Sequence, residues 1–205
     1  MSERAPIFRN IFGASWDQLP PVIREHYANR PFSRDVVVVE GVMDVELSGM
    51  ARLFAPLLRI SGALVPIEGR EIPVTVTFRS DPDSKAFIFD REFRFAGRKP
   101  YHFRSAMVPV AGHEVIEWMA IGFGWRAAFS YAEGQVRLDH RGYALRCFGR
   151  VIPMPVEWLF GRGEAWERAI DDTRFAMEMT IRHRLFGMLY GYRGTFRIGE
   201  MRLDG

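Results

Sequence analysis

The sequence predicts a mainly β protein in which about ten antiparallel strands form a closed barrel or a strongly curved sheet, with two short helices. Three observations support this fold class. From Glu71 onward apolar residues recur at every second position, which is typical of half-buried strands. Turn signals interrupt the pattern at short intervals. Strands and helices do not alternate along the chain, which excludes doubly wound folds and triosephosphate-isomerase-type barrels.

The first 34 residues are predicted to form a helical arm, followed by one antiparallel barrel-like domain over residues 35–205. A short helix is expected over Ser15–Asn29, because its apolar residues form a stripe and its two prolines fit a first turn.

Val36–Leu47 is the first predicted strand, since a run of valines is followed by apolar residues alternating with Asp44 and Glu46. A second helix is expected at about residues 50–61. Met50–Ile60 is apolar apart from two arginines seven positions apart, which lie on nearly the same line of a helix.

The remaining strands are predicted from period-two alternation and from the turns between them. They are expected at residues 71–79, 87–95, 101–107, 115–121, 125–131, 135–148, 166–170, 175–182 and 188–198. An irregular crossing is expected at 153–163. The order of one strand, one helix and about nine further strands is also that of lipocalin and fatty-acid-binding barrels, an analogy of fold that does not establish function.

The composition is that of a soluble globular protein. The 205 residues are 48 % hydrophobic and 26 % charged, with a net charge of +3, which argues against disorder, coiled coil and collagen. Cys147 is the single cysteine, so the sequence offers no intrachain disulfide and no multi-cysteine metal pattern. The N-terminus lacks a signal-peptide pattern. We therefore expect a cytoplasmic protein, with peripheral membrane contact left open.

Motifs for cofactors and catalysis are absent or incomplete. His113–Glu117 resembles a zinc-protease helix, but the second histidine is replaced and the segment alternates with period two. Gly122–Ala127 matches a loose dinucleotide fingerprint, but a strand follows the glycines where a helix is needed. We therefore predict no metal and no cofactor. The basic run around Arg137–Arg150 is interrupted by Asp139, so nucleic-acid binding is not expected.

Arg91 and Glu117 are polar residues on apolar faces of predicted strands. Arg91 shares its parity with Phe87, Phe89 and Phe93, and an unpaired charge among these rings would be costly. Three interpretations stay open. Arg91 lies in a hairpin turn at the surface, pairs with Glu117 inside the barrel, or anchors a ligand carboxylate or phosphate.

Several short elements resemble a bacterial family known as domain of unknown function 4166. They are Leu19-Pro20-Pro21 with His26, Arg70–Phe78, Phe89-x-Arg91-x-Phe93, Glu114–Glu117 and Leu185–Gly194. In that family the aromatic residue before the arginine, at the position of Phe89, is usually tryptophan, and Phe89 departs from this pattern. The resemblance implies no assigned activity. It marks Arg91, Glu117 and Arg193 as family-typical polar residues without a role.

The leading hypothesis is a non-enzymatic barrel that binds an apolar or amphipathic, lipid-like small molecule, with the helix near 50–60 as a lid or membrane-surface helix. This hypothesis predicts an internal cavity lined by the row Phe87–Phe95. The candidate ligand-binding residues are Arg91, Glu117, Phe87, Phe89, Phe93 and Arg193. Two alternatives are an enzyme that uses Glu117 or a histidine as acid or base, and a protein-interaction module with a filled core. The oligomeric state is not predicted.

Overall fold

A computed structural model of the chain describes residues 5–53 and 64–204. Within these residues the strands are β1 Val36–Leu47, β2 Gly69–Ser80, β3 Phe87–Phe93, β4 Tyr101–Pro109, β5 Glu114–Trp118, β6 Phe123–Ala132, β7 Gln135–Cys147, β8 Arg150–Met154, β9 Arg162–Ala169, β10 Arg174–His183 and β11 Gly187–Arg202. The α-helices are α1 Ile7–Phe12, α2 Pro21–His26, α3 Gly49–Leu53 and α4 Glu157–Phe160, with 3₁₀ turns at Gly13–Gln18 and Ala120–Gly122.

Ten of these strands form a closed antiparallel barrel. The sheet order is β6-β5-β4-β3-β2-β1-β11-β10-β9-β7, and β6 also pairs with β7, which joins the two edges. The extra strand β8 pairs with β7 outside the ring. The predicted mainly β, antiparallel barrel is therefore confirmed, and closure removes the exposed edges that an open sheet of this width would carry.

Period-two alternation sets the two faces of the barrel wall. In β3 the residues Phe87, Phe89, Arg91 and Phe93 are buried, whereas the residues between them are half-buried. The same alternation along β2 buries every second residue up to Ser80. Since successive strand side chains point to opposite faces, the buried set faces the barrel interior and forms one continuous core.

The N-terminal helices fill one end of the barrel, and we call residues 7–26 the plug. The ring of Phe8 lies 4.9 Å from that of Phe87 and 5.3 Å from that of Phe129. At the same end of the barrel, the ring centroids of His26 and Phe78 are 4.5 Å apart. We call the opposite end the far end; there β1 runs into α3, and the backbone N–H of Ser48 donates to the carbonyl of Leu189.

Local boundaries differ from the predictions at the N-terminus. The helix expected over Ser15–Asn29 is shorter, with a 3₁₀ turn followed by α2, and α1 was not predicted. Helix α1 has six residues, too few for an isolated helix to be stable in water. It depends on the barrel that its apolar side chains enter. The boundary predicted at residues 34–35 stays a prediction.

Two further segments differ from the predictions or fall outside the description. Part of the crossing expected at 153–163 forms two short elements. Strand β8 contains Pro153, and helix α4 follows Pro155. The helix expected at about 50–61 begins as α3, and its remaining residues lie outside the described ones. Among the described residues, none of the helices has the length and hydropathy needed to span a bilayer.

Candidate functional site

Three polar side chains from neighbouring strands meet inside the barrel. Strand pairing places Phe89 opposite Ser105 and Met107 opposite Glu117, so that β3, β4 and β5 bring their inward residues to one level. The Arg91 guanidinium donates to Glu117 Oε1 at 3.0 Å and to Ser105 Oγ at 2.9 Å. The Ser105 hydroxyl in turn donates to Glu117 Oε1 at 2.5 Å. The result is a hydrogen-bonded buried ion pair.

Two aromatic rings flank the Arg91 guanidinium. Its central carbon lies 4.3 Å from the Phe89 ring centroid and 4.9 Å from that of Phe103, distances at which a cation is attracted to an aromatic face. The hairpin-turn interpretation of Arg91 is therefore wrong, because β3 continues through this residue. The interpretation as a pair with Glu117 is the one that the structure shows.

A second buried group consists of Glu167, Tyr27 and His26. The Tyr27 hydroxyl donates to Glu167 Oε2 at 2.7 Å, and His26 Nε2 lies 3.7 Å from Glu167 Oε1. Burial raises the pKa of Glu167 to about 7, although the Tyr27 hydrogen bond and the Arg91 charge oppose this shift. Burial, assisted by Arg91, lowers the pKa of His26 to about 3. His26 is therefore neutral near pH 7, while Glu167 titrates in the neutral range.

Tyr192 connects the two groups electrostatically. Burial raises the pKa of its phenol to about 12; the Arg91 charge lowers that pKa and the carboxylates of Glu117 and Glu167 raise it. All three charges therefore act on one side chain, so we treat these residues as one polar cluster. Tyr190, two positions earlier on β11, accepts a hydrogen bond from the backbone N–H of Val65 at 3.3 Å.

The inward side chains are buried to a similar degree at the plug and at the polar cluster. In the plug, Phe8 is 0 % exposed and Trp16 is 7 % exposed, whereas in the polar cluster Tyr27 is 2 % exposed and Arg91 is 8 % exposed. The polar cluster is therefore distinguished from the plug by its charges and not by its packing.

Five of the six predicted site residues lie together inside the barrel. Phe87 packs against the plug, Phe89 contacts Arg91, and Phe93 stacks on Phe95 with a centroid distance of 6.2 Å. Arg193 does not join them. It lies on the outer face, more than half exposed, with Asp44 and Glu46 within 3.5 Å.

Sequence reasoning missed Glu167, Tyr27 and His26. A weak signal existed for Glu167, because it shares its parity with Ala169 on the strand predicted over residues 166–170. Small residues make such alternation hard to recognise. No local signal marks Tyr27 as the partner of a residue 140 positions away.

Two surface clefts were also found in the described part of the chain. The larger, about 310 Å³, lies over the outer faces of β7, β9 and β10 and is lined mainly by polar residues, among them Arg137, Glu164 and Glu178. The smaller lies beside Arg193. Among the described residues, no group of three or more histidine, cysteine or acidic side chains is arranged to hold a metal ion.

Comparisons with known proteins place this geometry in context. The model of the family described as Domain of unknown function (DUF4166) matches residues 19–196. A comparison with curated protein sequences found no significant match. Rv2717c from Mycobacterium tuberculosis, a solved structure, is 12 % identical with a TM-score of 0.45, over 89 % of this chain and 99 % of that one.

The dehydratase domain of the polyketide PpsC from Mycobacterium tuberculosis is 8 % identical with a TM-score of 0.20, over 92 % of this chain and 84 % of that one. Both scores lie below 0.5, and the barrel described above rests on the strand pairing of this chain itself.

Proposed function

The chain belongs to the family Domain of unknown function (DUF4166), and we propose that it binds one amphipathic, lipid-like small molecule inside the barrel. The observation that supports this proposal most directly is the convergence of polar side chains in the apolar interior. The Arg91–Glu117 pair with Ser105, and Glu167 with its raised pKa, are buried beside the apolar side chains of the core. Convergent polar groups in an apolar interior are the usual composition of a ligand site.

The polar cluster favours an uncharged oxygen headgroup. Glu117 already neutralises Arg91 at 3.0 Å, so a ligand anion would meet a pair with little net charge and a second carboxyl group, Glu167. A guanidinium has five N–H donors. The hydrogen bonds described for Arg91 lead to Ser105 and Glu117, so a hydroxyl, carbonyl or ester oxygen could accept from a further N–H without adding charge.

The apolar body of the ligand would extend toward the far end. The plug closes the other end, where its Phe8 ring packs against Phe87 of β3 and neither ring has exposed surface. Two apolar side chains of β10, Met179 and Ile181, lie between the polar cluster and the far end. The polar groups of this region are already paired with each other, since the Trp125 indole N–H donates to His140 Nδ1 at 3.0 Å. We place the apolar chain of the ligand along Met179 and Ile181.

Native mass spectrometry, with organic extraction of whatever copurifies, tests the proposal first. We expect a near-stoichiometric ligand with an apolar chain. Calorimetric titration of 1-decanol and decanoate, matched in chain length, then tests the headgroup, and we expect tighter binding of the alcohol. Tighter binding of decanoate would overturn the headgroup assignment. An unliganded mass together with no binding of either probe would overturn ligand binding itself.

A double variant tests the role of the polar cluster. Arg91→Met with Glu117→Leu removes both charges at once, which avoids leaving one of them unpaired in the interior. We expect decanol affinity to fall about tenfold or more, as for loss of a hydrogen bond to a charged donor. Arg193→Met, on the outer face, is the matched control and should bind as the unmodified protein does. Equal affinity in all three proteins would remove Arg91 from the site.

A second candidate, an acid–base enzyme on the same barrel, has one observation in its favour. Glu167 is a buried carboxyl group with a pKa of about 7 and two further polar groups, Tyr27 and His26, within 3.7 Å. Perturbed carboxyl groups concentrate at catalytic sites. Turnover of a copurified ligand by the protein, abolished in Glu167→Gln, would support this candidate over a carrier, whereas an unchanged ligand after prolonged incubation would oppose it.

A further inference from the structure

Large apolar side chains are exposed around the far end of the barrel. Seven of them are at least half exposed, and we call this set the apolar rim: Ile121, Phe148, Val151, Trp158, Leu159, Leu185 and Phe186. They come from four separate chain segments. Exposed apolar side chains that occur singly need no explanation, but a group of this size at one place indicates a binding surface.

Contacts hold these segments against one another. The Phe160 ring of α4 lies 5.8 Å from Phe123, which directly follows the turn that carries Ile121. That turn lies directly against the end of β7. The two backbones are so close at Gly122 that an added Cβ would lie 2.9 Å from the carbonyl oxygen of Arg146. The β7–β8 turn with Phe148 follows immediately. The segments therefore form one continuous surface.

His183 connects the β10–β11 hairpin, which carries Leu185 and Phe186, to this surface. Its ring Nε2 lies 2.6 Å from the Trp158 carbonyl oxygen, and its Nδ1 accepts from the backbone N–H groups of Leu185 and Phe186 at 3.1 and 3.3 Å. Because Nδ1 accepts, the ring proton is on Nε2 and donates to Trp158. One buried imidazole thus orients α4 and the β10–β11 hairpin together, although both present exposed apolar side chains to solvent.

The charges around the apolar rim have one dominant sign. Segments 119–123, 144–152, 157–162 and 182–189 contain five arginines and one carboxylate, Glu157. The arginines are Arg146, Arg150, Arg162, Arg182 and Arg184, all exposed. Exposed Trp, Phe and Leu side chains interspersed with arginine are the composition of surfaces that bind at the headgroup level of anionic bilayers.

We propose that the apolar rim and its arginines dock the protein on an anionic membrane surface through the far end of the barrel. The apolar side chains enter the boundary between headgroups and acyl chains, and the arginines bind lipid phosphates. This inference does not depend on the proposed ligand. If a ligand binds as proposed, the same docking would turn the end of the barrel toward which its apolar chain extends to the membrane.

Vesicle flotation tests the proposal with the full chain. We expect binding to vesicles in which one quarter of the phosphatidylcholine is replaced by phosphatidylglycerol, weaker binding at high salt, and little binding to phosphatidylcholine alone. Binding that is equal for both compositions, or absent from both at low salt, would overturn it.

Two variants separate the apolar and charged contributions. Phe148→Asn with Trp158→Gln and Leu185→Gln removes exposed apolar groups; Phe148 has a φ of 48°, a conformation that asparagine tolerates. Arg150→Gln with Arg184→Gln removes two charges. Each should lower the vesicle partition coefficient about tenfold or more, with unchanged thermal unfolding.

Val110→Gln is the matched control, because Val110 is an exposed apolar residue in the β4–β5 connection, away from the far end. It should bind vesicles as the unmodified protein does. Binding that the rim variants leave intact would contradict the proposal. A concentration-dependent dimer without vesicle binding, lost in the triple variant, would also contradict it and would assign the surface to a second copy of the chain.

Discussion

Arg91 and Glu117 form a buried ion pair, with guanidinium Nη2 and carboxylate Oε1 3.0 Å apart inside the barrel. Both side chains are about one-tenth exposed, and Ser105 bonds to both. A pair of this kind costs desolvation energy, so its removal as a unit differs from the removal of one partner.

The single variant Arg91→Met should destabilise the protein by about 3–5 kcal/mol, because Glu117 would be left as an unpaired buried charge. The double variant Arg91→Met with Glu117→Leu should recover much of this loss. Urea unfolding of both variants measures the difference. A double variant that is less stable than either single variant would contradict the expectation.

Phe8→Ala should cost about 3–5 kcal/mol, the range for truncating a fully buried phenylalanine. The Phe8 ring is 0 % exposed and lies within 5.3 Å of the rings of Tyr27, Phe87 and Phe129. It precedes residue 19, where the family match begins, so the effect also shows whether the barrel needs this helix. Arg9→Ala, on the exposed side of α1, is the control and should change the free energy of unfolding little in the same urea experiment.

The free energy of unfolding of Glu167→Gln, relative to that of the unmodified protein, should increase as pH rises. The folded pKa of Glu167, about 7, exceeds the ordinary value of 4.5, so the folded state binds more protons between these values. Stability therefore falls as pH increases from about 4.5 to 7, by about 3 kcal/mol for this shift. Glutamine cannot ionise and keeps an oxygen that accepts from Tyr27.

Thermal unfolding of Glu167→Gln and the unmodified protein at pH 5 and pH 8 measures this change. The melting temperature of the variant, relative to that of the unmodified protein, should be several degrees higher at pH 8 than at pH 5. Glu164→Gln, an exposed position on the same strand, should show no such gain. An equal difference in melting temperature at both pH values would mean that Glu167 is not held protonated.

Asp35→Asn should destabilise the connection between the N-terminal arm and β1 by about 2–3 kcal/mol. The Asp35 carboxylate accepts from the backbone N–H of Arg30 at 2.8 Å, from the Arg30 guanidinium, and from the backbone N–H of Asp204 at 2.7 Å. Burial alone would raise its pKa, but these hydrogen bonds hold the pKa below its ordinary value.

The stabilisation from Asp35 is present above the unfolded pKa and is lost as pH falls through the lower folded pKa. The difference between the variant and the unmodified protein in urea unfolding should therefore shrink in acid. Asp83→Asn, in an exposed turn, serves as the control. A difference that stays constant down to strongly acidic pH would rule out this role of the carboxylate.

Much of the barrel could be predicted from the sequence because strand alternation is a local property. Val36–Leu47 is observed as β1 with the predicted bounds, and period-two parity grouped Arg91 and Glu117 with apolar residues, while a surface hairpin at Arg91 stayed open. Once two opposite charges share an apolar interior, their pairing is the favourable arrangement. The predicted resemblance to the DUF4166 family is confirmed as well.

The predictions failed where a residue depends on distant contacts. Helix α1 was missed because its six residues are stabilised by the barrel interior rather than by their own propensity. Arg193 was grouped with the inward residues although it lies outside, beside Asp44 and Glu46. The DUF4166 resemblance marked it as family-typical but carried no information about which face it occupies.

The sequence by itself determined the mainly β class, the parity that Arg91 and Glu117 share with apolar residues, and the absence of familiar cofactor motifs, because period and composition are properties of short segments. Only the tertiary structure decided that the N-terminal helices fill one end of the barrel, that Tyr27 bonds to Glu167, and that four separate segments bring the apolar rim together at the other end. These relationships join residues up to 140 positions apart, and barrel closure, rather than any local preference, brings such residues into contact.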